Sequence, residues 1–368
     1  MTGPCRSLSS SERKGKGKEK HFDPVIFSGI QPTGTPHLGN FLGFFLPYLD
    51  LQRSSPPSVP LYLSIVGLHA ITLPQDPVQL RQDRRNMLAS LLACGVDPER
   101  TCLYFQEDIP EHAELAWYLN TLAPVGLLRR MTTWKARLAV SKNANSEDEV
   151  SEADLRLGLL AYPVLQAADV LLYKSTIVPV GEDQSQHLEL SRTLAETFNR
   201  TFSPIFPLPQ TRIVPSKRIL SLRDPYQKMS KSSPDAKSRI GLTDTPGQIS
   251  KKIRSAVTDS DPTITYDPVG RPGLANLLLI WSALDKAGRS PEVLADMARE
   301  EGWGSARLKE EIEGVVIERI EPVRKEYERI QGDVGYLQEV AKKGRDRTRG
   351  VARKTMDEVR DVVGLSPI

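Results

Sequence analysis

Two lysines three positions apart are the residues in this sequence best suited to bind a mobile anion. Lys228 and Lys231 lie in the segment Lys228-Met-Ser-Lys-Ser232, followed by a further serine. A lysine ammonium is a compact charge on a flexible stem, which suits a transferring or departing polyphosphate better than the rigid fork of an arginine. Taken alone, such a pair is more often a solvated basic loop.

A second segment, far upstream, has the pattern of a strand, a tight loop and a helix. Val25 to Phe27 is apolar and predicts a buried strand, glycines and prolines between positions 29 and 36 predict a turn, and helical spacing begins at His37. Such a loop leaves backbone N–H groups and the positive end of a helix dipole available to a phosphate. The same pattern also occurs at helix ends that bind nothing charged.

Two further groups of polar residues belong to elements near strand ends. Tyr162, Gln166 and Asp169 are spaced to share one helix face, with Pro163 suited to the first helical position. A buried carboxylate there can accept a ligand N–H, whereas the alternative is an exposed helix edge. Residues 181–184 follow an apolar strand. Their Asp and Gln side chains could bind the hydroxyl and ammonium groups of a ligand, or the segment could be a helix N-cap.

Composition limits the class of protein. The chain has 368 residues, 39% of them hydrophobic and 26% charged, and no apolar run long enough to span a bilayer. The length allows two domains. A net charge of +3 permits a nucleic-acid partner without requiring one. The three cysteines and five histidines show no spacing typical of a metal site.

The elements that must position these residues alternate. Predicted strands at 61–66, 101–105, 177–180 and 219–222 alternate with helices at 78–93, 111–122, 127–140 and 185–198, which indicates an α/β fold with a parallel sheet. Pro47 predicts a kink or an end in the first helix. Beyond 245 the pattern is helical only, at 247–257, 273–287, 306–329, 334–343 and 349–363.

Four segments together resemble a known family. Gly29-Ile-Gln-Pro-Thr-Gly34, His37-Leu-Gly-Asn40, Gly181-Glu-Asp-Gln184 and Lys228 to Ser232 are similar to the signatures of class I aminoacyl-tRNA synthetases, specifically the tryptophanyl-tRNA synthetases of bacterial and organellar type. The similarity covers roughly residues 24–366. Two lysines that are ambiguous alone thereby become half of an expected ATP site.

The resemblance implies an architecture. We expect a disordered basic extension at 1–23, and a Rossmann-like parallel-sheet catalytic domain at 24–240 with an inserted, dimer-forming helical segment at about 123–190. An all-helical domain at 241–368 is expected to read the anticodon. Its basic residues are Arg345, Arg347, Arg349, Arg353, Lys354 and Arg360; by composition alone they describe a mixed-charge, exposed helix.

The resemblance also implies a reaction and its residues. ATP, with Mg²⁺ carried by ATP, would activate L-tryptophan as an adenylate, and the acyl group would then pass to tRNA(Trp). The enzyme is expected to be a homodimer, with no membrane partner and no metal site of its own. The residues expected to be catalytic are His37, Asn40, Lys228 and Lys231. Those expected to bind ATP are Gln31, Pro32, Thr33, Gly39, Asn40, Gly181, Glu182, Asp183, Ile219, Lys228, Met229, Ser230, Lys231 and Ser232. Those expected to bind tryptophan are Tyr162, Gln166, Asp169, His69 and Gln184.

Alternatives remain open at this point. Tyrosyl-tRNA synthetases share the Tyr-x-x-x-Gln-x-x-Asp pattern, and a catalytically silent RNA-binding paralogue or a nucleotidyltransferase is a different kind of protein. One position departs from the family, because Gly67 stands where an Asp is usual, which leaves the orientation of His69 open. A bacterial-type body behind a Ser- and Lys-rich extension favours the mitochondrial matrix, with the cytoplasm as the alternative.

Overall fold

The computed structural model describes residues 22–131, 133–142, 144, 146, 149–181, 184–213, 218–231 and 233–368. The extension predicted at 1–23 lies outside the described residues except for its last two. Three residues expected to bind ATP also lie outside them: Glu182, Asp183 and Ser232. In the described part of the chain, no helix has the length and apolar content needed to cross a membrane.

A five-stranded parallel sheet forms the centre of the first half. Its strands are β1 Ile26–Ile30, β2 Leu61–Ile65, β3 Thr101–Phe105, β4 Ile177–Val180 and β5 Gln210–Ile213. The order across the sheet is β3-β2-β1-β4-β5. Successive strands are therefore added on one side of β1 as far as β3 and then on its other side from β4 onward, so the strand order reverses between β1 and β4. In open α/β sheets, the crevice for a ligand forms at the carboxyl ends of the strands at this switch point.

Helices connect and cover the strands. They are α1 Leu38–Asn40, α2 Leu46–Ser54, α3 Gly67–Ala70, α4 Pro77–Ala93, α5 Glu111–Asn120, α6 Val125–Arg130, α7 Thr133–Lys142, α8 Leu157–Leu171 and α9 Ser185–Thr201. The predicted α/β class with a parallel sheet is therefore confirmed. The predicted helix at 127–140 is two helices, α6 and α7, separated by an extended Met131.

The first helix is distorted at Pro47 but does not end there. Between α1 and α2, residues Phe41–Phe45 form a π-helical turn, and the Leu46 N–H donates to the Phe41 carbonyl, five residues back. Pro47 stands in the first turn of α2. Since proline has no N–H to donate and its ring crowds the preceding turn, widening that turn lets the helix continue.

The second half is helical, as predicted. Its helices are α10 Pro246–Arg254, α11 Pro272–Leu284, α12 Pro291–Glu300, α13 Ser305–Gly332 and α14 Val334–Val363. Buried side chains of α10 to α13 belong to one hydrophobic cluster with those of β2, β3 and α4. The boundary near 240 stays a prediction, and the two halves share core contacts across it.

Helix α14 packs directly on the edge of the sheet. At Gly344 a Cβ would overlap the Leu103 carbonyl oxygen and lie 2.7 Å from its carbon, so only glycine permits this approach. Basic residues of α14 pair with the sheet half: Lys343 with Glu99 at 2.6 Å and Arg360 with Glu114 at 2.6 Å. Arg360, one of the basic residues expected to meet RNA, therefore also anchors α14 to the sheet half.

Three further local predictions were wrong, and two elements were missed. Residues 219–222 form no strand, only an isolated bridge between Leu220 and Lys228, while β5 lies in the proline-rich segment before them. Pro163 is inside α8, which begins at Leu157. The helices predicted at 334–343 and 349–363 are one helix, α14, and α12 was missed. Apolar spacing identifies helices well, but helix ends depend on tertiary contacts that a single sequence does not display.

Candidate functional site

A cavity of about 580 Å³ opens at the switch point between β1 and β4. It is bordered by the carboxyl ends of β1 and β4 and by α3, α7, α8 and α9. Eight of the residues predicted for the site line it: Gln31, Asn40, His69, Tyr162, Gln166, Asp169, Gly181 and Gln184. These come from four separate stretches of sequence, and the sheet topology brings them together.

Asp169 is the centre of a buried polar network at one end of the cavity. Asp169 is 1% exposed. His69 Nε2 lies 2.8 Å from Oδ2, and Oδ1 accepts from the Gln106 amide at 2.7 Å and lies 2.6 Å from His112 Nδ1. On its far side, His112 Nε2 is 2.8 Å from the Tyr173 hydroxyl. Each donor comes from a different element, so the carboxylate is fixed from several directions.

The surroundings of Asp169 keep it ionised. Burial by itself raises the pKa of this carboxyl, but the charges and hydrogen bonds of His112 and His69 outweigh burial and lower the pKa to about 2. An ionised carboxylate has about four acceptor positions. The three donors leave acceptor capacity on Oδ2, the oxygen with a single partner.

Tyr162 forms the adjoining wall of the cavity. Its hydroxyl lies 2.7 Å from Thr133 Oγ1 and 3.1 Å from His187 Nε2, and His187 Nδ1 lies 2.9 Å from Gln184 Oε1. The Arg137 guanidinium lies 4.6 Å from the centre of the Tyr162 ring. This wall presents an aromatic face with its polar tips already hydrogen-bonded.

His37 and Asn40 form a reciprocal cap at the start of α1. The Asn40 backbone N–H donates to His37 Nδ1 at 3.3 Å, and the His37 N–H donates to Asn40 Oδ1 at 3.1 Å. This pattern assigns the imidazole proton to Nε2. Burial, with the charges of Lys231, Arg239 and Lys228, lowers the pKa of His37 to about 4. His37 is therefore a neutral donor at physiological pH.

Gly39 allows the cap and its neighbours to pack closely. A Cβ at this position would lie 3.0 Å from the His37 ring and 3.7 Å from the Ile219 Cβ. Ile219 and Met229 are each 2% exposed and belong to the main core. Their side chains anchor the lysine-bearing segment against α1, and the Met229 N–H donates to the Ile219 carbonyl at 3.0 Å.

Lys231 reaches across to the loop that follows β1. Its ammonium donates to the Thr33 carbonyl at 2.7 Å and the Gly34 carbonyl at 2.9 Å. Lys231 and Gly34 are 197 residues apart in the sequence. Burial lowers the pKa of Lys231 to about 8, with Arg239 also lowering it and Asp83 opposing. Lys228 is exposed, and Ser230 is half-buried.

Among the polar residues of this site, sequence reasoning missed Gln106, His112, Thr133 and His187. The chain does contain a signal for the histidines. Each histidine that the structure describes follows a strand by seven residues or fewer: His37 after β1, His69 after β2, His112 after β3 and His187 after β4. Because the carboxyl ends of parallel strands share one edge, such spacing predicts convergence. Gln106 directly follows β3 but carries no distinctive pattern.

The two ends of the cavity differ in chemistry. One end has an ionised carboxylate among aromatic and imidazole rings, and the other has helix-terminal and loop donors with two lysines nearby. The first suits an aromatic ligand that carries an N–H group, and the second suits a polyphosphate. The carboxyl end of β1, with Gln31 and Asn40, lies between them.

Comparison with known proteins gives one consistent result. The family model of tRNA synthetases class I (W and Y) matches residues 19–321. The mitochondrial tryptophan–tRNA ligase of Saccharomyces cerevisiae is 43% identical over 98% of this chain and 96% of its own length. The tryptophan–tRNA ligase of Bacillus anthracis is also 43% identical, over 93% and 98%. The crystal structure of tryptophanyl-tRNA synthetase from Campylobacter jejuni, complexed with ADP and tryptophan, is 29% identical with a TM-score of 0.76, covering 93% of this chain and all of that one.

Proposed function

The chain belongs to the class I tRNA synthetases for tryptophan and tyrosine, and we propose that it ligates L-tryptophan to tRNA(Trp) through a tryptophanyl-adenylate. The observation that carries this proposal is the bond from Lys231 to the Thr33–Gly34 loop. It joins the two segments that we propose to bind phosphate, beside a cavity that ends at Asp169. The relatives at 43% identity are named as ligases for tryptophan rather than tyrosine.

In the first step, a carboxylate oxygen of tryptophan bonds to the α-phosphorus of ATP. The bond from that phosphorus to the bridging oxygen breaks, and pyrophosphate leaves. The chain's residues bind and orient the reactants and stabilise charge. His37 Nε2 and the Asn40 amide would donate to the α-phosphate, and Lys231 and Lys228 would follow the departing pyrophosphate. Gln31 and Thr33 would hold the phosphate from the loop.

The Asp169 end would hold the tryptophan side chain. We assign the indole N–H to Asp169 Oδ2, the oxygen with acceptor capacity left, with Tyr162 against the ring. His69 and Gln166 would complete this pocket, and Gln184, at the mouth, would bind the α-ammonium. A side chain without that N–H would leave the remaining acceptor position on Asp169 Oδ2 buried and unfilled, and such a loss disfavours the wrong ligand.

ATP is the nucleotide that this family uses, and the ADP complex of the Campylobacter enzyme is consistent with it. Magnesium would enter bound to the triphosphate oxygens, as a hard cation that prefers oxygen ligands. Of the residues assigned to ATP, Pro32, Gly39 and Gly181 would let the nucleotide approach the backbone closely. The backbone of Ile219, Met229 and Ser230 would face the nucleotide. Glu182, Asp183 and Ser232, which lie outside the described residues, are also proposed to bind ATP.

A homodimer is part of the proposal. The segment at about 123–190 is the predicted interface, and large apolar side chains in or beside it are exposed: Trp117 by 71%, Val125 by 56% and Leu157 by 78%. A second copy covering them would remove apolar surface from water. Sedimentation equilibrium tests this, and a monomer at micromolar concentration would contradict it.

For the second step, the acyl group passes from the adenylate to a ribose hydroxyl at the end of tRNA(Trp). Residues 241–368 would recognise the anticodon. The relatives include mitochondrial and bacterial enzymes at equal identity, and we propose the mitochondrial matrix. A fluorescent fusion to the carboxyl end of the full chain tests location, and a diffuse cytosolic signal would contradict the matrix assignment.

Charging of tRNA tests the function as a whole. Purified protein with ATP, Mg²⁺ and labelled tryptophan should acylate a tRNA(Trp) transcript but not one with an altered anticodon. Failure to charge, with adenylate still formed, would reject the assignment of the second step alone. Failure to form adenylate with tryptophan would reject the enzyme assignment, as expected for a silent paralogue.

A further inference from the structure

Helix α3 carries His69 into the site, yet it has little of its own to hold it in place. It has four residues, and Val66, at its N-cap, contributes no side-chain hydrogen bond. A helix this short is not stable by itself. Its orientation must therefore come from its neighbours, and the neighbour at its start is the turn Gln106–Asp108 that follows β3.

That turn contacts the first residues of α3. Gln106 Oε1 accepts the Leu68 N–H at 3.1 Å while the same amide donates to Asp169 at 2.7 Å. The next residue, Glu107, places its carboxylate against Gly67. A Cβ at Gly67 would overlap Glu107 Oε2 and lie 2.7 Å from its Cδ. Glu107 therefore occupies the space of the side chain that Gly67 lacks.

Gly67 is not required here by backbone conformation. Its φ is not among the positive values found in this chain, so an L-residue can adopt this backbone. All three of the nearest atoms to the missing Cβ belong to Glu107. The glycine is therefore explained by Glu107, and the two positions are coupled.

Arg84 holds the Glu107 carboxylate in this position. Arg84, on α4, forms an ion pair with Glu107, with the two side chains 28% and 25% exposed. The Arg84 guanidinium also lies 4.4 Å from the centre of the Phe105 ring, at the end of β3. Burial raises the pKa of Glu107, and Arg84 opposes that rise. A partly buried carboxylate with a fixed partner is suited to orienting what it touches.

We propose that Glu107 is a positioning residue for the tryptophan end of the site: its carboxylate, held by Arg84, fills the space beside Gly67 and holds α3, and thereby His69, against Asp169. Positions 67 and 107 share one space, so a single acidic side chain can fill it from either position. The inference rests on the proposed function, because its readout is the use of tryptophan.

The test is a set of exchanges between the two positions, measured by tryptophan-dependent pyrophosphate exchange. Glu107→Ala should raise the KM for tryptophan roughly tenfold or more, because displacement of a positioning contact is costly, while leaving the KM for ATP within about twofold. Glu107→Gln keeps the size of the side chain and should give a smaller effect in the same direction. Gly67→Asp alone should also impair tryptophan use, since the new side chain must displace a Glu107 carboxylate that Arg84 holds in place.

The double variant Glu107→Ala with Gly67→Asp should recover most of the wild-type KM. In the matched control, Gly67→Asp with Asp108→Ala, the count of charges is the same but the space is not freed, so impairment should remain. Thermal midpoints of all variants separate loss of folding from loss of positioning. If Glu107→Ala does not fold, rescue by Gly67→Asp and the KM of Glu107→Gln decide the question.

Three results would overturn the proposal while the wild type is active: an unchanged KM for tryptophan in Glu107→Ala, a harmless Gly67→Asp in the wild-type background, or no recovery in the double variant. An inactive wild type with tryptophan would instead reject the proposed function. The two failures are distinguished by the unmodified enzyme alone.

Discussion

The two ends of the cavity, one proposed for the amino acid (the amino-acid end) and one for the nucleotide (the nucleotide end), are built in opposite ways. At the amino-acid end, Asp169, His69 and His112 are each 5% exposed or less and contact one another or Gln106. At the nucleotide end, Lys228 is exposed, and Lys231 is held by two carbonyls of a glycine-containing loop. The first end is fixed before a ligand arrives, and the second has charges on flexible stems.

This difference follows from what each end must do. An aromatic side chain is distinguished from its competitors by one N–H group, and discrimination requires an acceptor that does not move. A triphosphate changes its charge distribution as pyrophosphate leaves, and mobile cations can follow that charge. We therefore expect specificity to come from the amino-acid end of the cavity and rate acceleration from the nucleotide end.

The largest effect is expected from Lys231→Ala. Loss of a cation that stabilises developing phosphate charge should reduce the rate of adenylate formation by roughly a hundredfold to a thousandfold. Tryptophan affinity, measured by fluorescence titration, should change by less than about twofold, because the other end is intact. Lys237→Ala, at an exposed lysine nearby, is the control, and equal losses in both variants would remove the distinction between the two ends.

Asp169→Asn should produce the complementary result. The amide places an N–H where three donors already converge, which leaves at least one buried donor unpaired. The KM for tryptophan should rise on the order of a hundredfold, with the KM for ATP nearly unchanged. Asp296→Asn, on the exposed surface of α12, should match the wild type. A parallel rise in both KM values would show that the ends are not independent.

The pH dependence sharpens the comparison further. Because burial lowers the pKa of Lys231 to about 8, its charged form is present below that pH and is lost as pH rises through it. The value of kcat/KM for ATP should therefore fall above pH 8, by about tenfold per unit at most. Lys231→Arg should abolish this fall, since guanidinium remains charged. An unchanged profile in that variant would assign the titration to another group.

The smallest effect is expected from Tyr162→Phe. The change removes a hydroxyl that contacts Thr133 and His187 but keeps the aromatic wall. Loss of one hydrogen bond corresponds to about 1 kcal/mol, or severalfold in the KM for tryptophan. The rate at saturating tryptophan should not change, and a large fall in kcat would place Tyr162 among the groups that act on the reacting atoms.

The sequence predicts local features of this fold well and distant ones poorly. Strands β2, β3 and β4 and helices α4 and α9 follow from apolar spacing, since that signal is carried within each segment. The contact between Lys231 and Thr33 joins segments far apart, and only the family resemblance anticipated it. Pro163 was misjudged because surrounding packing lets a helix continue through a proline, whereas at Pro47, where a kink or an end was predicted, the helix is distorted by a π-helical turn and continues. Gln106 was missed because its role depends on Asp169, 63 residues later.

Pyrophosphate exchange with tryptophan and with tyrosine, measured side by side on the wild-type enzyme, tests the central claim most directly. If Asp169 Oδ2 is a fixed acceptor for an indole N–H, tryptophan should support exchange, and tyrosine should be slower by roughly a factor of a thousand or more. Exchange with tyrosine alone, or at equal rates with both, would contradict the assignment of Asp169 as the residue that selects tryptophan.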